Sequence, residues 1–90
     1  MITVTIYKDS GQYQRFTVEG HAGYAQEGFD IICAAVSALT VNTVNSIERF
    51  TEDRLEAEEK NGFLTCQLEA PLTTQAALLM DSMVLGLTDI

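Results

Sequence analysis

His21 and Cys33 are the pair of residues in this chain whose types and spacing could do covalent chemistry. His21 is the single histidine, and Cys33 is one of two cysteines. They sit in Gly20–Ala38, GHAGYAQEGFDIICAAVSA, which also holds three of the six glycines, Gly20, Gly23 and Gly28. A thiolate is a strong nucleophile, and both a neighbouring imidazole and a helix N-terminus favour the thiolate over the thiol. Asp30 has the chemistry of an N-cap, with Ile31 as the first helical residue. On that count Cys33 lies in the first turn, where unpaired N–H groups and the helix dipole favour an anion. The same N–H groups could hold the oxyanion of a tetrahedral intermediate. His21 would take the thiol proton and later give it to the leaving group.

Each residue also has a plain reading. Cysteine is often buried as a small hydrophobe, and a histidine in a glycine-rich loop can be a hydrogen-bonding turn residue. Asp30 reads as a cap or as the group that orients His21. Ser37 lies one turn after Cys33 on the same helical face, as a donor to the site or as a small packing residue. Spacing alone leaves these alternatives open. Cys66, in mid-strand with no positive neighbour, reads as structural. Gly20-x-x-Gly23 is too short for a phosphate-binding fingerprint, and no lysine follows it.

The rest of the chain supplies the elements that must position this pair. Ile2, Val4 and Ile6 alternate with Thr3, Thr5 and Tyr7, the period-two pattern of a half-buried strand. Asp9-Ser10-Gly11 is a turn. A second strand follows, with Phe16 and Val18 on one face and Tyr13, Arg15 and Thr17 on the other. That hairpin ends at Glu19-Gly20 and delivers His21. Residues 20–30 form a loop that glycine hinges would let move over the site. The first helix runs to about Arg49–Thr51, with Val36, Leu39, Val44 and Ile47 along one side.

Leu55–Lys60 has helical propensity, but Asn61-Gly62 is a strong hairpin signal and Phe63–Leu68 reads as its partner strand. The turn decides for a strand. Glu48, Glu52, Asp53, Glu56, Glu58 and Glu59 then form an acidic patch. Thr73 or Thr74 caps a second helix with a stripe of Leu72, Ala76, Leu79, Met80, Met83 and Leu87. Leu78 and Leu85 lie off that stripe, which points to a subunit contact. The predicted fold is α+β: two layers in the order β-β-α-β-β-α, an antiparallel or mixed four-stranded sheet with two helices on one face.

Ninety residues make one domain, spanning residues 1–90, and 47% apolar residues suffice for a modest core. The formal charge of −8 argues against direct nucleic-acid binding, which needs clustered Lys and Arg; it suits a basic partner, or simply keeps a small apolar protein in solution. The N-terminus lacks a signal peptide's basic and apolar regions, and no apolar run reads as long enough to cross a bilayer. Cys33 and Cys66 show no metal-ligand spacing. The expectation is a cytoplasmic protein with free thiols, needing no metal or cofactor and binding no membrane.

The run Gly20-His21-Ala22-Gly23-Tyr24-Ala25, followed by Gly28-Phe29-Asp30-Ile31-Ile32-Cys33-Ala34-Ala35-Val36-Ser37, resembles the signature of the Prp family of small bacterial ribosomal-processing cysteine proteases. The likeness covers nearly the whole chain. It implies a homodimer that removes the short N-terminal extension of a large-subunit ribosomal protein, number twenty-seven, cutting after a pair of Phe residues in an apolar motif. It further implies that His21 and Cys33 are the catalytic dyad, that Asp30 and Ser37 support them, and that the loop between the dyad moves on substrate binding. Relatives usually run somewhat beyond Ile90, a departure that touches whatever the tail contributes. The contrasting expectations are a ribosome-associated peptide-binding module that cuts nothing, and a thiol redox sensor.

Overall fold

A computed structural model describes residues 2–20 and 29–90. The chain runs β1 (Thr3–Asp9), β2 (Gln12–Glu19), α1 (Phe29–Phe50), β3 (Leu55–Lys60), β4 (Phe63–Leu68) and α2 (Thr74–Asp89). The strands form one sheet in the order β1-β2-β4-β3, and every pairing is antiparallel. The expected order and sheet therefore stand, and the choice between antiparallel and mixed resolves to antiparallel.

Both hairpins turn on residues with positive φ. Ser10 and Gly11 have φ of 52° and 79°, and Asn61 and Gly62 have 52° and 77°. Two consecutive left-handed residues are what a two-residue turn needs to match the twist of its strands. The Asn61-Gly62 turn thus overrides the helical propensity of Leu55–Lys60.

The core lies between the sheet and the two helices. Phe16, Ile47, Met80, Met83, Val18 and Cys66 are its largest sealed side chains. Leu64, Cys66 and Leu68 alternate inward from β4, as period two requires. Thr17, on the outward face of β2, is also buried, because Thr5 and Thr65 flank it on the neighbouring strands.

Tyr13 departs from the expected face. The register between β1 and β2 shifts between Tyr7 and Lys8, so that Tyr7 pairs with Arg15 but Lys8 pairs with Tyr13. The extra residue, Gln14, is a β-bulge, which breaks the alternation. Tyr13 is therefore buried and donates its hydroxyl proton to Asp81 on α2. Burial, with the Asp81 hydrogen bond and charge, pushes the Tyr13 phenol up to about 12. The unfolded chain ionises this group near its ordinary value of 10.0, while the folded chain keeps its proton until about 12. Stability therefore falls as pH rises through that interval. Tyr13→Phe is expected to flatten this alkaline loss, measured as urea midpoints between the two values.

Two polar side chains in the buried side of α1 are satisfied locally. Thr40 donates to the Val36 carbonyl at 2.9 Å, and Thr43 to the Leu39 carbonyl at 2.7 Å. Such back-bonding lets threonine sit inside a helix without an orphaned hydroxyl. Where the helices cross, Leu39 of α1 lies against Gly86 of α2: a Cβ there would stand 3.0 Å from the Leu39 Cδ2. The segment Ile31–Phe50 is long and apolar enough, by length and composition, to cross a bilayer, where the sequence reading found none. In this fold its Val36, Val44 and Ile47 side is sunk in the core.

The start of α2 is tied to the end of α1 by a clip. Thr51 donates to the Ile47 carbonyl at 2.7 Å and accepts from the Asp53 N–H at 3.1 Å. The Asp53 carboxylate accepts from the Thr73 N–H at 2.9 Å and from the Thr73 hydroxyl. Thr73 in turn caps α2, accepting from the Ala76 N–H at 3.1 Å. Asp53, assigned to the acidic patch from the sequence, is thus turned inward as a joint.

Candidate active site

The site is built on the head of α1. The helix begins at Phe29 rather than Ile31, so Asp30 lies within it instead of capping it, and the last two residues of 20–30 are helical. An acidic residue is as favourable in the first turn of a helix as at its cap, because both face the positive end of the dipole. Cys33 is accordingly the fifth helical residue and opens the second turn, not the first. The shift still leaves Cys33 next to the first turn. Helical Cα–Cβ bonds tilt toward the N-terminus, so a side chain covers the turn before its own. The first turn still has N–H groups without intrahelical acceptors.

Cys33 is half-buried and carries a free thiol. Ser37, four residues on, shares its side of the helix and is also half-buried. Thr40, buried at 1% exposure, extends the same line inward and stands 3.4 Å from the Ser37 carbonyl. The sequence reading did not pick out Thr40. Its signal was the i, i+4, i+7 spacing of Cys33, Ser37 and Thr40 inside an otherwise apolar run.

Cys66 is the opposite case. It is fully buried in β4, in register with Phe16 on β2 and Ala57 on β3. Burial, reinforced by the nearby charge of Glu48, pushes its thiol up to about 12. A thiol so placed is inert as a nucleophile at neutral pH. The expectation that Cys66 is structural agrees with this.

Gly20 closes β2 with φ of 87°, the left-handed geometry open to glycine. It turns the chain out of the sheet's second strand immediately before His21. His21, Gly23 and Gly28 lie outside the described residues, as do the side chains of Phe29 and Asp30. The acidic residues gather at the other end of α1. Glu48, Glu56 and Glu69 line a depression of about 700 Å³ together with Asp53 and Arg54. Fifteen helical residues separate Glu48 from Cys33, about 22 Å.

One of the two thiols is half-exposed near the head of a helix and the other is sealed in the sheet. The comparisons with known proteins supply the class. The chain matches the family described as cysteine protease Prp over residues 1–90. It is 30% identical over 93 residues to the ribosomal processing cysteine protease Prp of Staphylococcus aureus (strain Mu50), covering 100% of this chain and 88% of that protein. The fold superposes on the crystal structure of the S. aureus protease Prp in complex with a substrate peptide, with a TM-score of 0.90 and 28% identity over 99% of this chain and 87% of that one. It also matches the S. aureus protease with a covalently linked product peptide, with a TM-score of 0.85 and 29% identity, at the same coverage. The protein is a cysteine protease, and it belongs to the Prp family.

Proposed function

We propose that this chain is the endopeptidase that removes the short N-terminal extension of a bacterial large-subunit ribosomal protein, number twenty-seven, during ribosome assembly. Cys33 is the nucleophile and His21 its general base. The Cys33 sulfur attacks the scissile carbonyl carbon as its proton passes to the imidazole. First-turn N–H groups of α1 stabilise the oxyanion. The intermediate collapses to a thioester, the C–N bond breaks, and the imidazolium protonates the leaving amine. Water, deprotonated by His21, then attacks the thioester, releasing the acid and restoring the thiol. Asp30 and Ser37 support the dyad.

The observation that carries this reading is the contrast between the two thiols. A cysteine protease with two cysteines must use one of them. Cys66 is fully buried with its thiol pushed up to about 12, which leaves Cys33. The names of the relatives support the substrate class, because S. aureus Prp is called a ribosomal processing protease and was crystallised with a substrate peptide. Charge supports it too: a chain of net charge −8 attracts the basic body of a ribosomal protein. The enzyme acts in the cytoplasm as a homodimer and needs no metal or cofactor.

The dyad is tested by the rate at which iodoacetamide alkylates Cys33 as a function of pH, in a Cys66→Ala background. His21→Ala is expected to slow alkylation at pH 7 roughly tenfold, because no imidazole remains to take the thiol proton. Superimposable profiles rule out His21 as the activating group.

A further inference from the structure

β1 is an edge strand of the sheet, and its inward residues are poorly covered. Ile2, Val4 and Ile6, in and just before β1, pack against the core yet stay half-buried, whereas Phe16 and Val18 on the neighbouring strand are sealed. These three side chains line a groove of about 340 Å³ together with Val84 and Leu87 of α2 and Ile32 at the head of α1. Ile32 is 45% exposed, so the groove is open to solvent at that end. Among the described residues no lining residue has a charged side chain, in a chain whose formal charge is −8. The one hydroxyl in the lining, that of Thr88, already donates to the Val84 carbonyl at 2.8 Å. The groove therefore presents apolar surface and no unengaged side-chain donor.

We infer that this groove takes an apolar side chain of the peptide substrate, from a residue within two positions of the bond that is cut. The inference rests on Cys33 as the nucleophile proposed above and adds where the substrate is gripped. Position argues for this occupant. Ile32 directly precedes Cys33, and adjacent Cα atoms are about 3.8 Å apart. An extended peptide advances about 3.3 Å per residue. A peptide whose carbonyl lies against the Cys33 Sγ thus has its next one or two side chains within reach of the Ile32 end of the groove. Size and chemistry argue the same way. Cavities for whole ligands run from roughly 300 to 1,000 Å³, so this one, at the low end, suits one or two side chains. An aromatic or branched aliphatic side chain gains in proportion to the apolar area it removes from water. A basic side chain would lose hydration with no lining carboxylate side chain to pair with. The carboxylates gather instead around Glu48, Glu56 and Glu69, at the other end of α1.

The groove also touches the helical turn that carries the nucleophile. Val36 lines it, lies three residues after Cys33 and is 5% exposed. A side chain seated in the groove therefore packs against the turn next to Cys33, and seating it there fixes the neighbouring carbonyl close to the sulfur. Charge draws a basic protein in without regard to which bond it presents, and the groove selects the bond.

The test is the selectivity of alkylation at Cys33, measured on the full chain in a Cys66→Ala background. N-benzyl iodoacetamide carries an apolar arm and iodoacetamide does not. The ratio of their rates cancels changes in the reactivity of the thiol itself. Relative to glutathione, the parent is expected to favour the benzyl reagent roughly tenfold. Val84→Phe fills the groove from α2, and Ile32→Asp sets a charge at its open end, with circular dichroism to confirm folding. Each is expected to return the ratio to that of glutathione, while Gln67→Phe, on the outer face of β4, keeps the parent's. A parent without the preference, or folded Val84→Phe and Ile32→Asp variants that retain it, overturns the inference. A preference that fades as protein concentration rises puts a second copy in the groove and overturns it too. Cleavage then reads the substrate. Replacing the apolar residue nearest the cut bond of the extension peptide with Asp is expected to lower kcat/KM roughly 100-fold for the parent, and by less than about threefold for Val84→Phe, whose groove is already closed. Equal losses in the two enzymes overturn the groove's part in gripping substrate. A parent that leaves the extension peptide uncut counts against the ribosomal substrate alone, because the alkylation ratio decides the groove without that peptide.

Discussion

Cys33→Ala is expected to lower peptide cleavage by roughly 10⁴-fold or more, the scale seen when a protease loses its nucleophile. Cys66→Ala is expected to leave the rate per folded molecule unchanged. The two variants remove the same atom from the same 90 residues, so the comparison isolates position. Cys33 is half-exposed at the head of α1, beside N–H groups that lack intrahelical acceptors. Cys66 has 0% exposure and packs between Phe16 and the helices. Its loss leaves a small cavity and costs about 1–2 kcal/mol of stability. The cleanest readout is mass spectrometry of a peptide carrying the extension and its cleavage motif, with enzyme concentration corrected for the folded fraction. Equal cleavage by both variants removes Cys33 from the mechanism. A covalent acyl-enzyme trapped on the parent and absent from Cys33→Ala adds direct support.

The second large effect concerns stability. Asp53→Ala breaks the joint between the end of α1 and the start of α2, taking two hydrogen bonds to a carboxylate and leaving the Thr73 cap unsupported. Hydrogen bonds to charged groups contribute about 1.5–3 kcal/mol. A domain of this size loses roughly 4–8 °C of melting temperature per kcal/mol, so a drop of about 10 °C is expected by calorimetry. Asp53→Asn keeps the shape and loses the charge, and should fall between. The effect depends on pH in a defined direction. Burial raises the Asp53 pKa, but hydrogen bonds from the Thr73 hydroxyl and N–H, then from Thr51 and its own N–H, outweigh it and hold the carboxyl below its ordinary value. The stabilisation is therefore complete above the ordinary aspartate range and disappears as pH falls through the lowered value. The melting temperatures of parent and Asp53→Ala should converge in acid. A difference that stays constant down to strongly acidic pH places the cost in packing rather than in the carboxylate.

These two sites differ in how far the sequence exposes them. The six elements follow from local patterns: the alternation of Ile2, Val4 and Ile6, the Asn61-Gly62 turn, the apolar stripe through Ala76, Met80 and Met83. The placement of Cys33 and Ser37 on one side of α1 is legible because both lie in one short stretch with the helix that holds them. The Asp53–Thr73 joint is not, because twenty residues and a hairpin intervene and both residues are ordinary in their own surroundings. Tyr13 lies on the face opposite to the one strict alternation predicts, because a bulge is a one-residue event with no compositional signal at Gln14. The helix start moved by two residues because capping chemistry at Asp30 and first-turn chemistry at Asp30 are the same chemistry. Thr40 and Thr43 read as polar interruptions of an apolar helix, whereas in the fold their hydroxyls turn back on the preceding turn.

The four-stranded sheet ends on two strands of unlike character. β3, LEAEEK, presents three glutamates along one margin, whereas β1, TVTIYKD, has no charge before Lys8. Open strands recruit other strands unless charge, proline or a cover prevents it. One margin of this molecule is thus defended by repulsion and the other by neighbouring chain or by the chain's overall charge alone. Near the isoelectric point, about pH 4.2, that overall charge vanishes. Handling at such acidity invites strand-to-strand clumping at the β1 margin, and preparations are best kept well on the alkaline side of it.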